Sequence, residues 1–230
     1  KYKQSMEINI KLGYKKGIAQ TLHNIAMIHQ DKGEYEEALD KYKQSLEIQK
    51  RLDDQGGISK ALHQIATIHK IKGEYDEALD KYKQSLDIYK KRVDQRGVAE
   101  TLHNIAMIHF EKGEYEEALE KYKQSMEINI KLGDQRGIAQ TLHNIAMIHQ
   151  DKGEYEEALE KYKQSMEIDT TLGNLRDLAY TLAQVGLLYS QIGEKEEAIN
   201  YTQKALDIFE KIGLENEARK AKAQIEKMRL

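Results

Sequence analysis

The chain has 230 residues and contains no cysteine, so disulfides and thiolate chemistry are excluded. Charged residues make up 33% of the sequence, but acidic and basic residues are interleaved and the formal net charge is only −3. This pattern argues against a nucleic-acid partner, which needs clustered basic residues, and no apolar run reaches the ~18 residues of a membrane span. We therefore expect a cytoplasmic protein with neither a nucleic-acid nor a membrane partner.

The most informative feature of the sequence is an internal repeat of 40 residues. The tetrapeptide KGEY begins at residues 32, 72, 112 and 152, and IGEK follows at residue 192. The nine residues TLHNIAMIH occupy 21–29, 101–109 and 141–149, and the variant ALHQIATIH occupies 61–69. A repeat of this length predicts one supersecondary unit per period, and such units must stack because none can bury its apolar face alone.

Each repeat contains two helical patterns. In the first, apolar residues recur at helical spacing from Ile18 onward, and Gly33 follows the last of them as a left-handed glycine does at a helix end. The second pattern has acidic residues in its first turn and Lys50 and Arg51 in its last, as the helix dipole favours. We predict helix pairs at 15–31/34–52, 55–71/74–92, 95–111/114–132, 135–151/154–172 and 175–191/194–212.

The two ends of the chain each match half a repeat. Residues 1–12 reproduce 121–132 without change and correspond to a second helix, and residues 215–229 occupy the place of a first helix. We therefore predict an all-α fold forming a single solenoid domain over 1–230. Its parts are a truncated second helix at 1–12, a polar capping helix at 215–229, and five full units at 15–52, 55–92, 95–132, 135–172 and 175–212.

These repeats resemble the tetratricopeptide repeat family over essentially the whole chain. With Gly33 placed on the turn glycine of that family, Leu22 and Ala26 fall on first-helix signature positions, and Ala38 and Tyr42 fall on second-helix positions. The 40-residue period is similar to the longer variety found in spindle-orientation adaptors, kinesin light chains and prokaryotic signalling proteins. The resemblance implies a right-handed superhelix of antiparallel helix pairs.

The resemblance also implies where a ligand binds. In the family the first helices line a concave surface that holds peptides, so the matching positions of this chain are the candidate peptide-binding residues. They are Gln20, His23, Asn24, Met27, Gln30, Lys60, His63, Gln64, Thr67, Lys70, Glu100, His103, Asn104, Met107, Phe110, Gln140, His143, Asn144, Met147, Gln150, Tyr180, Gln184 and Leu187.

An amide recurs at one position of this surface in every unit, as Asn24, Gln64, Asn104, Asn144 and Gln184. An amide side chain both donates and accepts hydrogen bonds, so a row of amides can serve the backbone of an extended peptide. The alternative is that these amides bond a neighbouring helix or water and recur only because the gene was duplicated.

The eight histidines form two rows. His23 and His29 are six residues apart, about 240° around a helix, so they cannot chelate one metal ion. We expect the row of His23 to face the ligand surface. We expect the row of His29, which is His29, His69, His109 and His149, to be packed at the seam between helices. If that second row is buried and neutral, stability should fall as the pH drops below about 6.5.

The expected function is non-catalytic. No phosphate loop, nucleophile elbow or metal-ligand motif is present, and we expect no cofactor and no metal. We favour a protein–protein interaction scaffold that binds a peptide or helix on the concave face. The alternative is a structural spacer or self-assembling array within a longer protein. Because Tyr2, Met6 and Ile8 or Leu12 lack a first helix to cover them, we also expect a chain cut from a longer array that self-associates through residues 1–12.

Overall fold

The computed structural model describes the backbone of residues 2–229 and the side chains of residues 4–229. All regular structure in this described part of the chain is α-helical. The helices are α1 (Tyr2–Lys11), α2 (Lys15–Asp31), α3 (Tyr35–Arg51), α4 (Gln55–Ile71), α5 (Tyr75–Lys91), α6 (Gln95–Glu111), α7 (Tyr115–Leu132), α8 (Gln135–Asp151), α9 (Tyr155–Leu172), α10 (Leu175–Gln191), α11 (Lys195–Lys211) and α12 (Glu215–Arg229). The predicted all-α repeat fold is therefore confirmed, and every helix ends within one or two residues of its predicted bounds.

The chain forms two compact units, of which the first ends at Lys121 and the second begins at Tyr122, within α7. In unit 1, α2 packs on α3, α3 on α4, α4 on α5 and α5 on α6. In unit 2, α8 packs on α9, α9 on α10, α10 on α11 and α11 on α12. Sequential helices thus pair as stacked repeats require. A single domain over residues 1–230 stays a prediction.

The core of unit 1 combines alanines with leucines, isoleucines and buried tyrosines. Ala26 and Ala38 are fully buried, and their small side chains let α2 and α3 approach closely. Tyr42 fills the space beside them, and its hydroxyl donates to Gln30 Oε1 at 3.0 Å. The buried hydroxyl is thereby satisfied, as a polar group inside a core must be.

Unit 2 repeats this arrangement with two clusters. Between α8, α9 and α10, the buried residues Ala146, Tyr162, Val185 and Leu188 pack together. A second cluster joins α10, α11 and α12, and Ile225 of α12 belongs to it. The opposite face of α12 carries exposed charged residues, as expected for a polar capping helix.

A serine of α3 and the corresponding serine of α9 each bond the first helix of the same repeat. Ser45 Oγ donates to the carbonyl oxygen of Ala19 at 2.8 Å, and Ser165 Oγ donates to that of Ala139 at 2.9 Å. Both serines are buried, so these bonds form away from water. They fix the register between the two helices of a repeat.

The turns use left-handed backbone, but not always glycine. Gly33 has a φ of 76° and ends α2 as the sequence predicts. Asp53 and Val93 take the same conformation at φ 50° and 57°, whereas Gly173 occupies the corresponding position in unit 2. A β-branched residue such as Val93 is strained there, because Cβ lies too close to the following carbonyl.

None of the helices formed by the described residues combines the length and the apolar character that a membrane crossing needs. Of the residues expected to be uncovered at the first helix, Ile8 and Leu12 are exposed and Met6 is half-buried. The side chain of Tyr2 lies outside the described residues.

Candidate functional site

The predicted site residues lie on α2, α4 and α6 of unit 1 and on α8 and α10 of unit 2, and this set of positions is here termed the first-helix face. The structure exposes six of the predicted residues, which are Gln20, Met27, Lys60, Glu100, Gln140 and Leu187. It leaves fifteen half-buried, which are His23, Asn24, Gln30, Gln64, Thr67, Lys70, His103, Asn104, Met107, Phe110, His143, Asn144, Met147, Tyr180 and Gln184.

The other two predicted residues, His63 and Gln150, are buried and cannot contact a ligand in this arrangement. His63 is 4% exposed and lies with Nδ1 3.1 Å from the hydroxyl of Thr101. Gln150 accepts from the Tyr162 hydroxyl at 2.8 Å and donates to Gln191 at 2.7 Å. Both side chains satisfy buried hydroxyl groups, which removes them from the candidate site.

Two histidines of the first row, His63 and His143, which were expected on the ligand surface, join one first helix to the next. The imidazole of His143 meets the ring of Tyr162 edge-on, with centroids 5.5 Å apart. Its Nδ1 lies 2.9 Å from Oγ1 of Thr181 in the next first helix. Because the Thr181 hydroxyl donates its proton to the carbonyl of Asp177, the imidazole must donate through Nδ1. His63 makes the same contacts in unit 1, with Tyr82 and Thr101.

Burial controls the protonation of three histidines of this row, His23, His103 and His143. It lowers the pKa of His143 to about 4, and the nearby carboxylate of Asp177 opposes that shift only in part. Burial also lowers the pKa of His103 to about 4, helped by the positive charge of Lys70. The pKa of His23 is lowered too, by burial and then by Lys60. These histidines are therefore neutral at pH 7 in the folded chain.

The second histidine row is hydrogen-bonded to glutamate side chains and is only partly buried. His29 Nδ1 lies 2.5 Å from Glu34 Oε2, and His149 Nδ1 lies 2.6 Å from Glu154 Oε2. Both imidazoles remain partly exposed. The expectation for the row of His29 depended on burial, and that condition is met only in part, since the side chains of His29, His69, His109 and His149 are 15–28% exposed. The first row has the burial that this argument requires.

The described residues contain no group of three or more histidine, aspartate or glutamate side chains that could hold a metal ion.

Some amides of the row bond within the fold, and others remain available to a ligand. Asn104 accepts from Lys70 Nζ at 2.7 Å and donates to the carbonyl of Glu100 at 3.0 Å, so its amide serves the fold. Asn24 makes only a long, exposed contact, accepting from Gln20 at 3.4 Å. Asn24 can therefore exchange that contact for a ligand at little cost, whereas Asn104 cannot.

Lys70 places a positive charge on the first-helix face of unit 1, at a position where the other repeats have uncharged residues. Its side chain is half-buried, and Nζ lies between the Asn104 amide and the sulfur of Met107, 3.5 Å away. Burial lowers the pKa of Lys70, and the carboxylate of Glu111 acts in the opposite sense. The ammonium has three donors, so a capacity to bind an acidic group remains.

The threonine partners of the histidines were not found from the sequence. Thr101 and Thr181 were absent from the candidate residues, although each stands 38 residues after a histidine of the first row. That constant spacing is the signal that could have identified them. It fails at His23, where the residue 38 positions on is Ala61.

Stacked helix pairs of nearly identical sequence, with a surface of amides and apolar side chains, define an all-α repeat scaffold. The family model described as tetratricopeptide repeat matches residues 17–91, 97–171 and 137–211. The chain therefore belongs to the tetratricopeptide repeat family. No curated protein sequence matches the chain.

Solved structures of low sequence identity share this fold. BtubC (BKLC) from P. vanneervenii is 19% identical with a TM-score of 0.78, over 92% of this chain and 89% of that one. A putative kinesin light chain of Podosopora anserina with nearly identical TPR-like repeats is 20% identical with a TM-score of 0.65, over 84% and 95%. A Rap protein complexed with competence and sporulation factor is 14% identical with a TM-score of 0.73, over 99% and 68%. At these identities the similarity shows the fold alone.

Proposed function

We propose that the chain is a non-catalytic scaffold that holds a peptide or a helix of another protein against its first-helix face. The observation that carries the proposal is an exposed apolar side chain at the same repeat position in both units. Met27 is 45% exposed and Leu187, which corresponds to it, is 40% exposed. Both lie inside a helix, α2 and α10, rather than at a turn. Apolar side chains exposed in such places are typical of interaction surfaces.

An amide accompanies each of these apolar residues. Asn24 precedes Met27 by three residues, and Gln184 precedes Leu187 by the same interval. Residues three apart on a helix lie side by side on one face. Each pair thus offers an apolar contact next to a hydrogen-bonding group, which is what the side chains and backbone of a bound segment need.

A relative of the same fold supports this proposal, since the Rap structure was determined with competence and sporulation factor bound. The competing function is a structural array without a dedicated ligand. Near-identical repeats favour that alternative, because a specific ligand usually requires different side chains at successive positions. The variation of position 30 where it stays accessible, as Gln30, Lys70 and Phe110, favours a ligand.

Two leucines of equal exposure provide the test. Leu187 lies on the first-helix face and Leu52 lies at the end of α3, and each is 40% exposed. Peptides selected from a random displayed library against the full chain would be titrated calorimetrically into the wild type, Leu187→Glu, Met27→Glu and Leu52→Glu. We expect one or both face variants to bind at least tenfold more weakly, about 1.4 kcal/mol, with Leu52→Glu unchanged. Equal binding by all variants would place the ligand elsewhere, and failure to select any peptide would favour the structural array.

A further inference from the structure

The turns at the two ends of the helices in unit 1 carry opposite charge. Residues 50–57 and 90–97, which join a second helix to the next first helix, contain six basic and three acidic residues. Residues 31–37, 71–77 and 111–117, at the other end of the helices, contain three basic and eleven acidic residues. These two sets of turns are here termed the basic edge and the acidic edge.

Each edge is a continuous surface rather than a set of separate turns. On the acidic edge, Lys72 Nζ lies 2.8 Å from Glu36 Oε1 of the preceding turn. On the basic edge, the Arg92 side chain lies against Gly56, where an added Cβ would be 2.5 Å from Nη1. Because every repeat has the same length and helix pairing, the turns follow one another at intervals of one repeat on both edges.

The positive charge of the basic edge is largely unpaired within the chain. Of its six basic residues, only Lys50 belongs to an ion pair formed by the described residues, with Glu47 at 3.4 Å. Two of its three acidic residues are helix caps, since Asp54 and Asp94 each accept from a glycine N–H at 3.0 Å. The carboxylates of this edge thus bond their own helices and leave the cations to an outside partner.

The two edges are too far apart to neutralise each other within one molecule. The helix α4, which runs from one edge to the other, has 17 residues and is therefore about 25 Å long. Salt screens exposed charges over about 8 Å at physiological ionic strength. Each edge therefore keeps its own field, and a matching charge must come from another molecule.

Apolar side chains stand among the charges of both edges. Val93 of the basic edge is 73% exposed, and Ile71 of the acidic edge is 47% exposed. Val93 also holds a left-handed backbone where the corresponding Gly133 and Gly173 do so without strain. Strained backbone of this kind clusters at functional positions. An exposed valine gains no packing within the fold, so its conformation points to a contact outside the chain.

We propose that the basic edge of unit 1 binds the acidic edge of unit 1 in a second copy of this chain. The unpaired cations would face Glu37 and Glu77, neither of which belongs to an ion pair formed by the described residues. Val93 would pack on Ile71 between them. The contact is heterologous, because two different surfaces meet. It lies at the turns and leaves the first-helix face free for a ligand.

A second copy fits the basic edge better than an anionic lipid surface does. Lipid headgroups offer the charge, but they have no fixed spacing and no use for the acidic edge. The acidic edge offers carboxylates at the same interval of one repeat, together with an exposed apolar side chain.

Sedimentation velocity of the full chain at low salt and in about 1 M NaCl would test the contact. We expect association that depends on protein concentration and weakens at least tenfold at high salt. Lys91→Glu with Arg92→Glu breaks the basic edge, and Glu37→Lys with Glu77→Lys breaks the acidic edge. Each double variant alone should be monomeric. Their mixture should form a dimer and nothing larger, because each keeps one intact edge and only one productive pairing remains.

The strained valine provides a readout that is separate from folding. Val93→Gly relieves the backbone, so it should weaken association while it raises the melting temperature. Val93→Glu should weaken association at least tenfold. The matched control is Leu172→Glu at a turn of unit 2, where Leu172 is 47% exposed and residues 171–177 contain one basic and one acidic residue. That control should associate as the wild type does.

Four results would overturn the proposal. They are a monomer at low salt up to ~1 mM, association unchanged in either double variant, a mixture of the two that stays monomeric, and association abolished by Ile8→Lys on α1. A monomer that co-sediments with vesicles of phosphatidylserine and phosphatidylcholine would assign the basic edge to a lipid surface instead. Leu187→Glu, which tests the first-helix face, should leave association unchanged, so the two proposals fail independently.

Discussion

The α2–α4 joint of unit 1 and the α8–α10 joint of unit 2 begin from the same sequence, TLHNIAMIH, and differ in the hydrogen bond that its first histidine makes. In unit 2, His143 donates to Thr181 at 2.9 Å. In unit 1 the corresponding residue is Ala61, so His23 packs against the Tyr42 ring at 5.1 Å without that hydroxyl partner. The stability of a repeat therefore depends on its neighbour as well as on its own sequence, as expected where each repeat contacts only the adjacent ones.

The turns of the two units differ in the same way. Val93 of unit 1 and Gly173 of unit 2 occupy corresponding positions and both have positive φ. Only glycine adopts this conformation without a steric cost. Unit 1 thus contains both a joint without the histidine–threonine hydrogen bond and a turn with more backbone strain.

Acidification should produce the largest effect, and it should weaken the α8–α10 joint. Burial lowers the pKa of folded His143 to about 4, whereas an unfolded histidine titrates near 6.5. The unfolded chain then binds more protons, so the free energy of unfolding falls as the pH drops from about 6.5 to about 4 and changes no further below that. The loss is up to about 3 kcal/mol for this residue.

Urea unfolding at pH 7 and pH 5 would measure this loss, with His143→Gln as the variant that lacks the titrating group. That variant should show a smaller pH dependence than the wild type. Burial raises the pKa of Asp169, which acts in the opposite direction at low pH, so the comparison between wild type and variant matters more than the absolute slope. An identical pH dependence in both proteins would contradict the assignment.

Removal of the hydroxyl of Thr181 should come next in size. Thr181→Val keeps the shape of the side chain but leaves the half-buried N–H of His143 without an acceptor, which should cost ~1–3 kcal/mol. Chemical denaturation would measure the change. In a His143→Leu background the same substitution should cost much less, because the imidazole N–H that would lose its acceptor is absent. Additive effects of the two changes would show that the bond contributes nothing.

Exchanging the residues of the two turns, Val93 and Gly173, should change the stability of the chain in opposite directions. Val93→Gly should stabilise the chain by about 0.5–1 kcal/mol, since the relief of strain exceeds the added entropy of the unfolded chain. Gly173→Val should destabilise it by ~1–2 kcal/mol, although no atom lies within 4 Å of the new Cβ, because the backbone conformation is the cost. Melting temperatures measured in parallel would decide, and shifts of the same sign would refute the strain argument.

The smallest effect should come from supplying unit 1 with the missing hydroxyl. Ala61→Thr gives His23 an acceptor, and we expect it to be more stable than Ala61→Val by about 0.5–1 kcal/mol. Valine controls for the added volume at this fully buried position. Denaturant midpoints of the two variants would measure the difference, and equal midpoints would mean that His23 cannot reach the new hydroxyl.

The helices could be predicted from the sequence because their signals are local. The stripe from Ile18, the turn at Gly33 and the charged ends of the second helix each lie within one helical segment, and the helix bounds were predicted closely. The candidate site was less predictable. His63 and Gln150 were placed on the ligand surface from their position in the repeat, yet both are buried against residues of other helices.

The sequence by itself determined the period, the helix pairing and the family, because apolar spacing and turn residues act within a few positions of one another. Only the tertiary structure decided the roles of the two histidine rows. Helical periodicity places His143 and His149 on different sides of α8, but it does not tell which side meets the next repeat. That depends on how α8 lies on α9 and α10, which brings Thr181 to His143 and leaves His149 beside Glu154. The pKa of His143 follows from the same packing, since burial is a property of the assembled helices.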